Sequence, residues 1–283
     1  ISQSLVDDYL TKDGNIYSKE QREKDQKIYG KELSPQIRDP RLSQTVCTPG
    51  TQMKPDGTQY QYPPLHVTTY HQNTTGYSML KFNEYNTSYL PTVTGEGKSQ
   101  APAIQYRYAE ILLIYAEALA ELDGPGNADE IKRALKPLRD RVGMPGVDFD
   151  REYNTDPTYP FHNLDKYIQA VRRERRIELA CEGHRFDDIL RWAAADDLIA
   201  AKRPLGALFL NSSLQQENVS GGYYSGALVV GKNIQINEEG YIDPYKLQLP
   251  NGFGFKIDRD YLLPIQQRML SLTEGLWKQN PGW

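Results

Sequence analysis

The stretch "RRIELACEGHRFDDILRW", residues 175–192, sets Arg175, Arg176, Arg185 and Arg191 among Glu178, Glu182, Asp187 and Asp188, with Cys181 and His184 between them. Three chemistries could use such residues. Glu178 and Glu182 lie about one helical turn apart, and two carboxyl groups hydrolyse a glycosidic bond when they flank it in a cleft, about 5 to 9 Å apart. Glu178, Glu182 and His184 are also of metal-ligating type. Neither reading suits a packed helix, where the two glutamates share a face and His184 points away from them. On a helical wheel Leu164, Ile168, Val171, Arg175, Leu179, Glu182 and Phe186 fall on one face, with Glu178 at its edge. Charges that interrupt an apolar seam must be paired to be buried. The pattern therefore favours a third reading, an ion-pair network, with Glu110, Glu117 and Glu121 of an earlier helix as expected mates for Arg175, Arg176 or Arg185.

Two other charged motifs read the same way. "RRERR" (172–176) has the outline of an anion patch, but the central Glu174 and the acidic balance of the chain favour a salt-bridged helix surface. In "DFDREYNTD", Asp148, Asp150, Glu152, Asn154 and Asp156 alternate like the early ligands of a calcium loop, without its central Gly or its bidentate Glu at the twelfth position. No metal or other cofactor is expected.

Binding without bond cleavage needs flat apolar faces for the C–H surfaces of sugars, with amides and charges to read hydroxyls. The segment "GTQYQYPPLHVTTYHQNTTGYSMLKFNEYNTSYLP" (57–91) holds six of the chain's 20 tyrosines together with Gln, Asn and His. Its candidate ligand-binding residues are Tyr60, Tyr62, Tyr70, His71, Tyr77 and Tyr85, with Asn73 as a hydrogen-bonding partner. Tyr223 and Tyr224, in "SGGYYSG", form a second, weaker pair. The competing reading has several of these tyrosines packing the loop onto the helices. Trp192, beside "ILR", reads as core, and Trp277 and Trp283 as anchors of the tail or partner contacts.

The elements that must position these residues divide the chain into three. Residues 1–100 are rich in turn formers ("KDGN", "SPQIRDP", "TPGTQMKPDGTQ") and predict irregular structure with short strands. Residues 101–203 carry helical periodicity. "YRYAEILLIYAEALAEL" is apolar nearly all round, apart from a stripe of Arg107, Glu110, Glu117 and Glu121, and predicts a buried helix with one polar edge. "DGPGN" stops it, and "ADEIKRALKPLRDRVGMPG" is its return partner, with Pro137 expected to kink or shorten it. "LDKYIQAVRRERRIELACEGHRF" and "DDILRWAAADDLIAA" predict a second helical pair, so the two hairpins have a tetratricopeptide-like pattern. Residues 204–283 return to loops, with an apolar strand-like "YLLPI", a short helix and a Pro-Gly turn.

Composition narrows the function classes. A chain of 283 residues buries a real core without disulfides. With 33 basic and 37 acidic residues it lacks the cationic excess that phosphate neutralisation needs, so nucleic acid is not an expected partner. The apolar run "ILLIYAEALAEL" is interrupted by Glu117 and Glu121 and falls short of the roughly 20 residues that cross a bilayer. Cys47 and Cys181 fit no metal spacing, and either two free thiols or one bridge is compatible with the sequence. The opening "ISQSLVDDYL" has no leader features, which reads as a processed chain or a piece of a longer one.

Several segments together resemble the C-terminal half of SusD/RagB-family proteins, in order and spacing: "LVDDYLTKDG" (5–14), "RDPRL" (38–42), "YRYAEILLIYAEALAE" (106–121), "RRERRIELACEGHRFDDILRW" (172–192), "LLPI" (262–265) and "QNPGW" (279–283). Cys181 and Asp188 stand where the family usually has aromatics, Gln266 where Pro is common, and Trp283 in place of a terminal Tyr. The resemblance implies a mainly α, SusD-like helical scaffold with tetratricopeptide-like hairpins and large irregular loops with short strands. In it, residues 1–100 are the ligand-facing part, 101–203 the helical hairpins, 204–283 the C-terminal part, and the family's N-terminal half is absent. It implies a surface-exposed lipoprotein of a Bacteroidota-type outer membrane, anchored by a lipid outside this chain. Such a protein captures oligosaccharides, or in some members peptides, for a SusC-like TonB-dependent transporter, and breaks no bond. In the family the segment that holds Tyr60 to Tyr85 contributes part of the ligand face. "RRIELACEGHRF" belongs to the scaffold.

Overall fold

The computed structural model describes residues 1–67, 72–83 and 104–283. They form two compact units, one of Ile1–Glu182 with Pro204–Pro244, the other of Gly183–Arg203 with Tyr245–Trp283. The architecture is mainly α. Among the described residues the expected short strands are isolated bridges, such as Thr11 with Arg38 and Leu208 with Tyr241.

The first unit begins with three short helices, α1 (Gln3–Asp8), α2 (Lys19–Asp25) and α3 (Pro40–Thr45). The last two start where the chain supplies a cap. The Ser18 hydroxyl accepts the Gln21 N–H, and the Asp39 carboxylate accepts the Arg41 N–H ahead of Pro40, whose missing N–H costs nothing in a first turn. Three longer helices follow, α4 (Tyr108–Asp123), α5 (Ala128–Asp140) and α6 (Lys166–Glu178). α4 lays Ala109, Leu113, Ala116 and Ala120, one stripe at helical spacing, into a core with Ile131, Leu135 and Leu138 of α5 and Ala170 and Val171 of α6. The turn between α4 and α5 passes so close to the Tyr167 ring that a Cβ on Gly124 would lie 2.8 Å from it.

Three expectations are corrected here. α4 is buried on one side only, and Tyr108, Ile111, Ile114, Tyr115 and Leu122 are exposed. α5 runs through Pro137 to Asp140 instead of stopping there. The helix read over 164–186 ends at Glu178, and Cys181 (φ +65°) and Gly183 (φ +93°) take left-handed backbone that no helix continues through, so Glu182 is not on the helix face assigned to it. Of the two alternatives left open for the cysteines, the structure has free thiols, Cys47 buried and Cys181 exposed.

A second core holds the loop-rich part of this unit. Val6, Tyr9, Leu33, Leu42, Val46, Phe209 and Ile242 pack with Tyr29, Tyr60, Tyr77 and Tyr224, and α9 (Ser213–Gln216) contributes Leu214. Without a sheet ladder, the backbone needs side chains as partners. Arg38, fully buried, donates to the carbonyls of Glu32 (2.6 Å), Val6 (2.6 Å) and Tyr9 (2.8 Å), with its guanidinium 3.7 Å from the centre of the Tyr17 ring. One side chain thereby ties three segments together.

The second unit contains α7 (Arg185–Arg191), α8 (Ala195–Leu198) and α10 (Gln267–Leu272). The Tyr261 hydroxyl accepts the Ala195 N–H (2.8 Å) and donates to Asp196 (2.6 Å) at the start of α8. The Gln279 amide pairs with both backbone groups of Ile265, and the Trp283 indole N–H donates to the Leu262 carbonyl, so "QNPGW" is fastened to "LLPI". Trp192 is half-buried, with the Arg191 guanidinium 4.9 Å from its ring centre.

Candidate functional site

The charged stretch resolves into a network of ion pairs on α6. Glu174, fully buried, accepts from Arg41 (2.6 Å) at one oxygen and from Arg139 (2.8 and 2.9 Å) at the other. Arg139 also grips Glu152 with two parallel bonds of 2.9 Å. Glu178 receives Arg41, Arg107 and Arg141, and Glu182 receives Lys81 (2.6 Å) and Arg107 (2.7 and 2.8 Å). Burial opposes ionisation of Glu174, but the Arg139 and Arg41 guanidiniums outweigh it and hold the carboxyl at about 2. Burial likewise opposes ionisation of Glu182, and hydrogen bonds from Arg107 and Lys81 bring its pKa below the ordinary value.

The mates differ in part from those expected. Arg172 reaches Glu121 at 3.4 Å and Arg176 reaches Asp8, while the acids of α6 draw on arginines from the 38–42 segment, the start of α4 and α5. The calcium-loop pattern does not converge. Glu152 turns to Arg139, Asp148 accepts backbone N–H groups of Asp150 and Arg151, and Asp156 accepts from Thr158. Among the described residues, no group of three or more His, Cys, Asp or Glu side chains is placed to hold a metal ion.

The aromatic residues converge more than their sequence separation implied. Tyr62 lies 5.3 Å from Tyr223 and 6.4 Å from Tyr224, centre to centre, with ring planes inclined at 53° and 56°. His66 stands edge-on to both, at 5.7 and 5.5 Å. Tyr29, 6.1 Å behind Tyr62, backs the cluster. Tyr223 is 39% exposed, Tyr62 and His66 are half-buried, and Tyr224 is buried with its hydroxyl on the Pro63 carbonyl (3.0 Å). Tyr62 of the first tyrosine group and the Tyr223–Tyr224 pair thus form a single aromatic cluster.

Glu217, which follows α9, organises it. One carboxylate oxygen accepts the Tyr62 hydroxyl (3.3 Å), the other accepts the Tyr223 N–H (2.9 Å), and the Glu217 carbonyl accepts the Tyr224 N–H (3.0 Å). Burial, then the Glu217 carboxylate, raises the pKa of the Tyr62 phenol, and burial alone raises that of Tyr223.

The other predicted residues take different places. Tyr60 and Tyr77 lie in the core, 8% and 2% exposed, so neither presents an open ring face. Tyr60 shares its hydroxyl with Tyr29 and Ser78, and burial pushes its pKa up to about 12. Asn73 donates to Ser78 and accepts the N–H groups of Thr75 and Gly76, so its amide shapes the turn. That turn packs tightly: a Cβ on Gly206 would fall 2.0 Å from the Thr75 carbonyl oxygen. Tyr70, His71 and Tyr85 lie outside the described residues. His66 and Glu217 were not singled out in the sequence. His66 stood inside the tyrosine-rich segment, but Glu217 carried no local signal, since its role depends on a contact across 155 positions. A separate concavity of about 610 Å³, lined by Lys12, Asp13, Lys136, Asp140, Gly143, Met144 and Pro145, has no aromatic wall.

The chain as a whole is similar to known proteins. The SusD family model matches residues 1–283. A SusD-like protein from Formosa agariphila, P25, is 30% identical over 98 residues, which are 34% of this chain and 16% of that protein. A SusD-like carbohydrate binding protein from Bacteroides fragilis is 26% identical, with a TM-score of 0.58 over 96% of this chain and 47% of that one. Another SusD-like protein from the same organism is 21% identical, with a TM-score of 0.59 over 100% of this chain and 46% of that one, and shares the fold. The chain spans less than half the length of these relatives. With the family's pattern matched from the first residue to the last, the chain belongs to the SusD family.

Proposed function

We propose that the chain is the C-terminal part of a non-catalytic, surface-exposed lipoprotein that captures oligosaccharides and delivers them to a SusC-like TonB-dependent outer-membrane transporter. The observation that carries this reading is the Tyr62–Tyr223 pair, two partly exposed rings held by Glu217. Sugar C–H faces stack on such rings, and carboxylate and amide groups accept their hydroxyls. Family membership and the similarity to a carbohydrate binding protein of Bacteroides fragilis support it.

The same geometry argues against hydrolysis at Glu178 and Glu182, whose oxygens are occupied by arginine and lysine. No cofactor enters the proposal. Among the described residues no helix is long and apolar enough to cross a membrane. Residues 1–100 supply the Tyr62 side of the site, 204–283 supply Tyr223, and 101–203 supply the scaffold.

Calorimetric titration of the chain against plant, fungal and host oligosaccharides, with a peptide set alongside and product analysis after incubation, tests this. Saturable glycan binding without cleavage, weakened about tenfold in Tyr62→Ala and in Tyr223→Ala, is expected. Peptide binding alone would replace the glycan by a peptide ligand, and released sugar would overturn the non-catalytic reading. Failure to co-purify with a TonB-dependent transporter from native membranes would remove the delivery step.

A further inference from the structure

The tyrosine site carries a charge signature that narrows its ligand. Glu217 uses one lone pair of each carboxylate oxygen on Tyr62 and Tyr223. An ionised carboxylate has about four such sites, so roughly two remain for donors from outside. The surrounding rings add to the same sign, because an aromatic face is the negative part of its quadrupole.

Among the described residues, Tyr62, His66, Tyr223 and Tyr224 make their ring contacts and side-chain hydrogen bonds with each other, Tyr29, Pro63 and Glu217, with no lysine or arginine among them. The ionisation of Tyr62 agrees: burial and then the Glu217 carboxylate raise its pKa. A carboxylate or sulfate brought to these rings would meet a like charge and, among the described residues, no compensating cation in contact with them, and juxtaposed like charges suppress binding strongly. A hydroxyl or an ammonium group would meet acceptors, the latter also over a ring face.

Resting on the oligosaccharide reading above, we infer that this site selects neutral and amino-bearing glycans and rejects uronate-bearing or sulfated ones, with Glu217 as the discriminating residue. The Glu217 carboxylate both orients the two rings and sets the sign of the field a sugar meets on them. Glutamine at this position keeps an oxygen for the Tyr62 hydroxyl and removes the charge.

The test is a matched pair of oligosaccharides that differ in one group, galactose oligomers against galacturonic acid oligomers of equal linkage and length, titrated against the chain at low and high ionic strength. Glucosamine oligomers serve as the cationic arm. The neutral and amino oligomers are expected to bind at least roughly tenfold more tightly than the acidic one at low salt. Raising the salt should narrow that gap by screening the repulsion, with little change for the neutral ligand. Glu217→Gln should narrow it at low salt as well, and the salt series answers the question even if that variant folds poorly. Equal or tighter binding of the acidic oligomer, with the neutral one also bound, would overturn the charge selection and leave the glycan reading standing. Binding of none of the three, with peptides bound instead, would overturn both.

Discussion

Around Glu174 and Glu178, both buried, every carboxylate oxygen meets an arginine, whereas around Tyr62 and Tyr223 aromatic rings gather on a single carboxylate and three of them reach the surface. The same contrast recurs one layer deeper. Glu174, between two guanidiniums, titrates at about 2. Glu32, equally buried beneath the tyrosines, is pushed up to about 8 by burial, with backbone hydrogen bonds and Arg38 only partly offsetting it. Arg38 gives the Glu32 backbone carbonyl a hydrogen bond and spreads its other donors to Val6 and Tyr9. A buried acid is thus set by where its nearest cation points its donors, not by burial alone. The region with saturated charges is suited to hold the chain, and the region with unsaturated acceptors beside open rings is suited to hold something else.

The comparison breaks most readily at Arg139. Arg139→Met leaves Glu174 and Glu152 without their shared partner, and removing one side of a buried ion pair costs about 3–5 kcal/mol. Denaturant unfolding should show a loss of that size, and a loss under about 1 kcal/mol would mean the network contributes little.

The next effect is in pH. Glu32, raised above its ordinary 4.5, favours the fold at low pH, and this contribution declines as pH rises through about 8. Glu174, lowered to about 2, favours the fold at higher pH, and its contribution is lost as pH falls from about 4.5 towards 2. Stability should therefore fall at both ends. Glu32→Gln should flatten the alkaline limb, a difference on the order of 2–4 kcal/mol between pH 5 and 9. An unchanged alkaline limb in thermal melts would contradict the assignment to Glu32.

At the tyrosine site, Tyr223→Ala should weaken glycan binding about tenfold, ~1.4 kcal/mol, with a small change in melting temperature because the ring is 39% exposed. A large loss of stability with unchanged affinity would make Tyr223 a packing residue. The smallest effect belongs to Tyr77→Phe. The Tyr77 hydroxyl is buried with no hydrogen-bond partner among the described residues, so its removal should change stability by less than about 1 kcal/mol, in either direction, and leave affinity unaltered.

Local pattern was enough for much of this. The Ala and Leu stripe of "YRYAEILLIYAEALAEL", the stop at "DGPGN" and the charges in the seam of "RRERRIE" are periodic features, and periodicity is a one-dimensional property that predicts which face must be buried or paired. The family resemblance rested on such segments too, and the expectation of a mainly α scaffold with large loops holds. Among the tyrosines, composition marked the right segment without sorting core from surface. Tyr60 and Tyr77 went inside and Tyr62 stayed at the rim, although all three sit in similar polar surroundings in the chain. An amphipathic ring fits either place, so what packs over it decides.

By itself, then, the sequence determined the helices, their buried stripes and the need for every seam charge to find a mate, because these follow from short-range periodicity and the cost of burying charge. Only the tertiary structure decided which mates are used, such as Arg41 meeting Glu174 across 133 positions, and that Glu217 gathers Tyr62 and Tyr223 into one site. Those choices depend on how loops without a regular hydrogen-bond ladder close on one another. Their backbone is satisfied by particular side chains such as Arg38 and Asn73, whose distant partners no local pattern encodes.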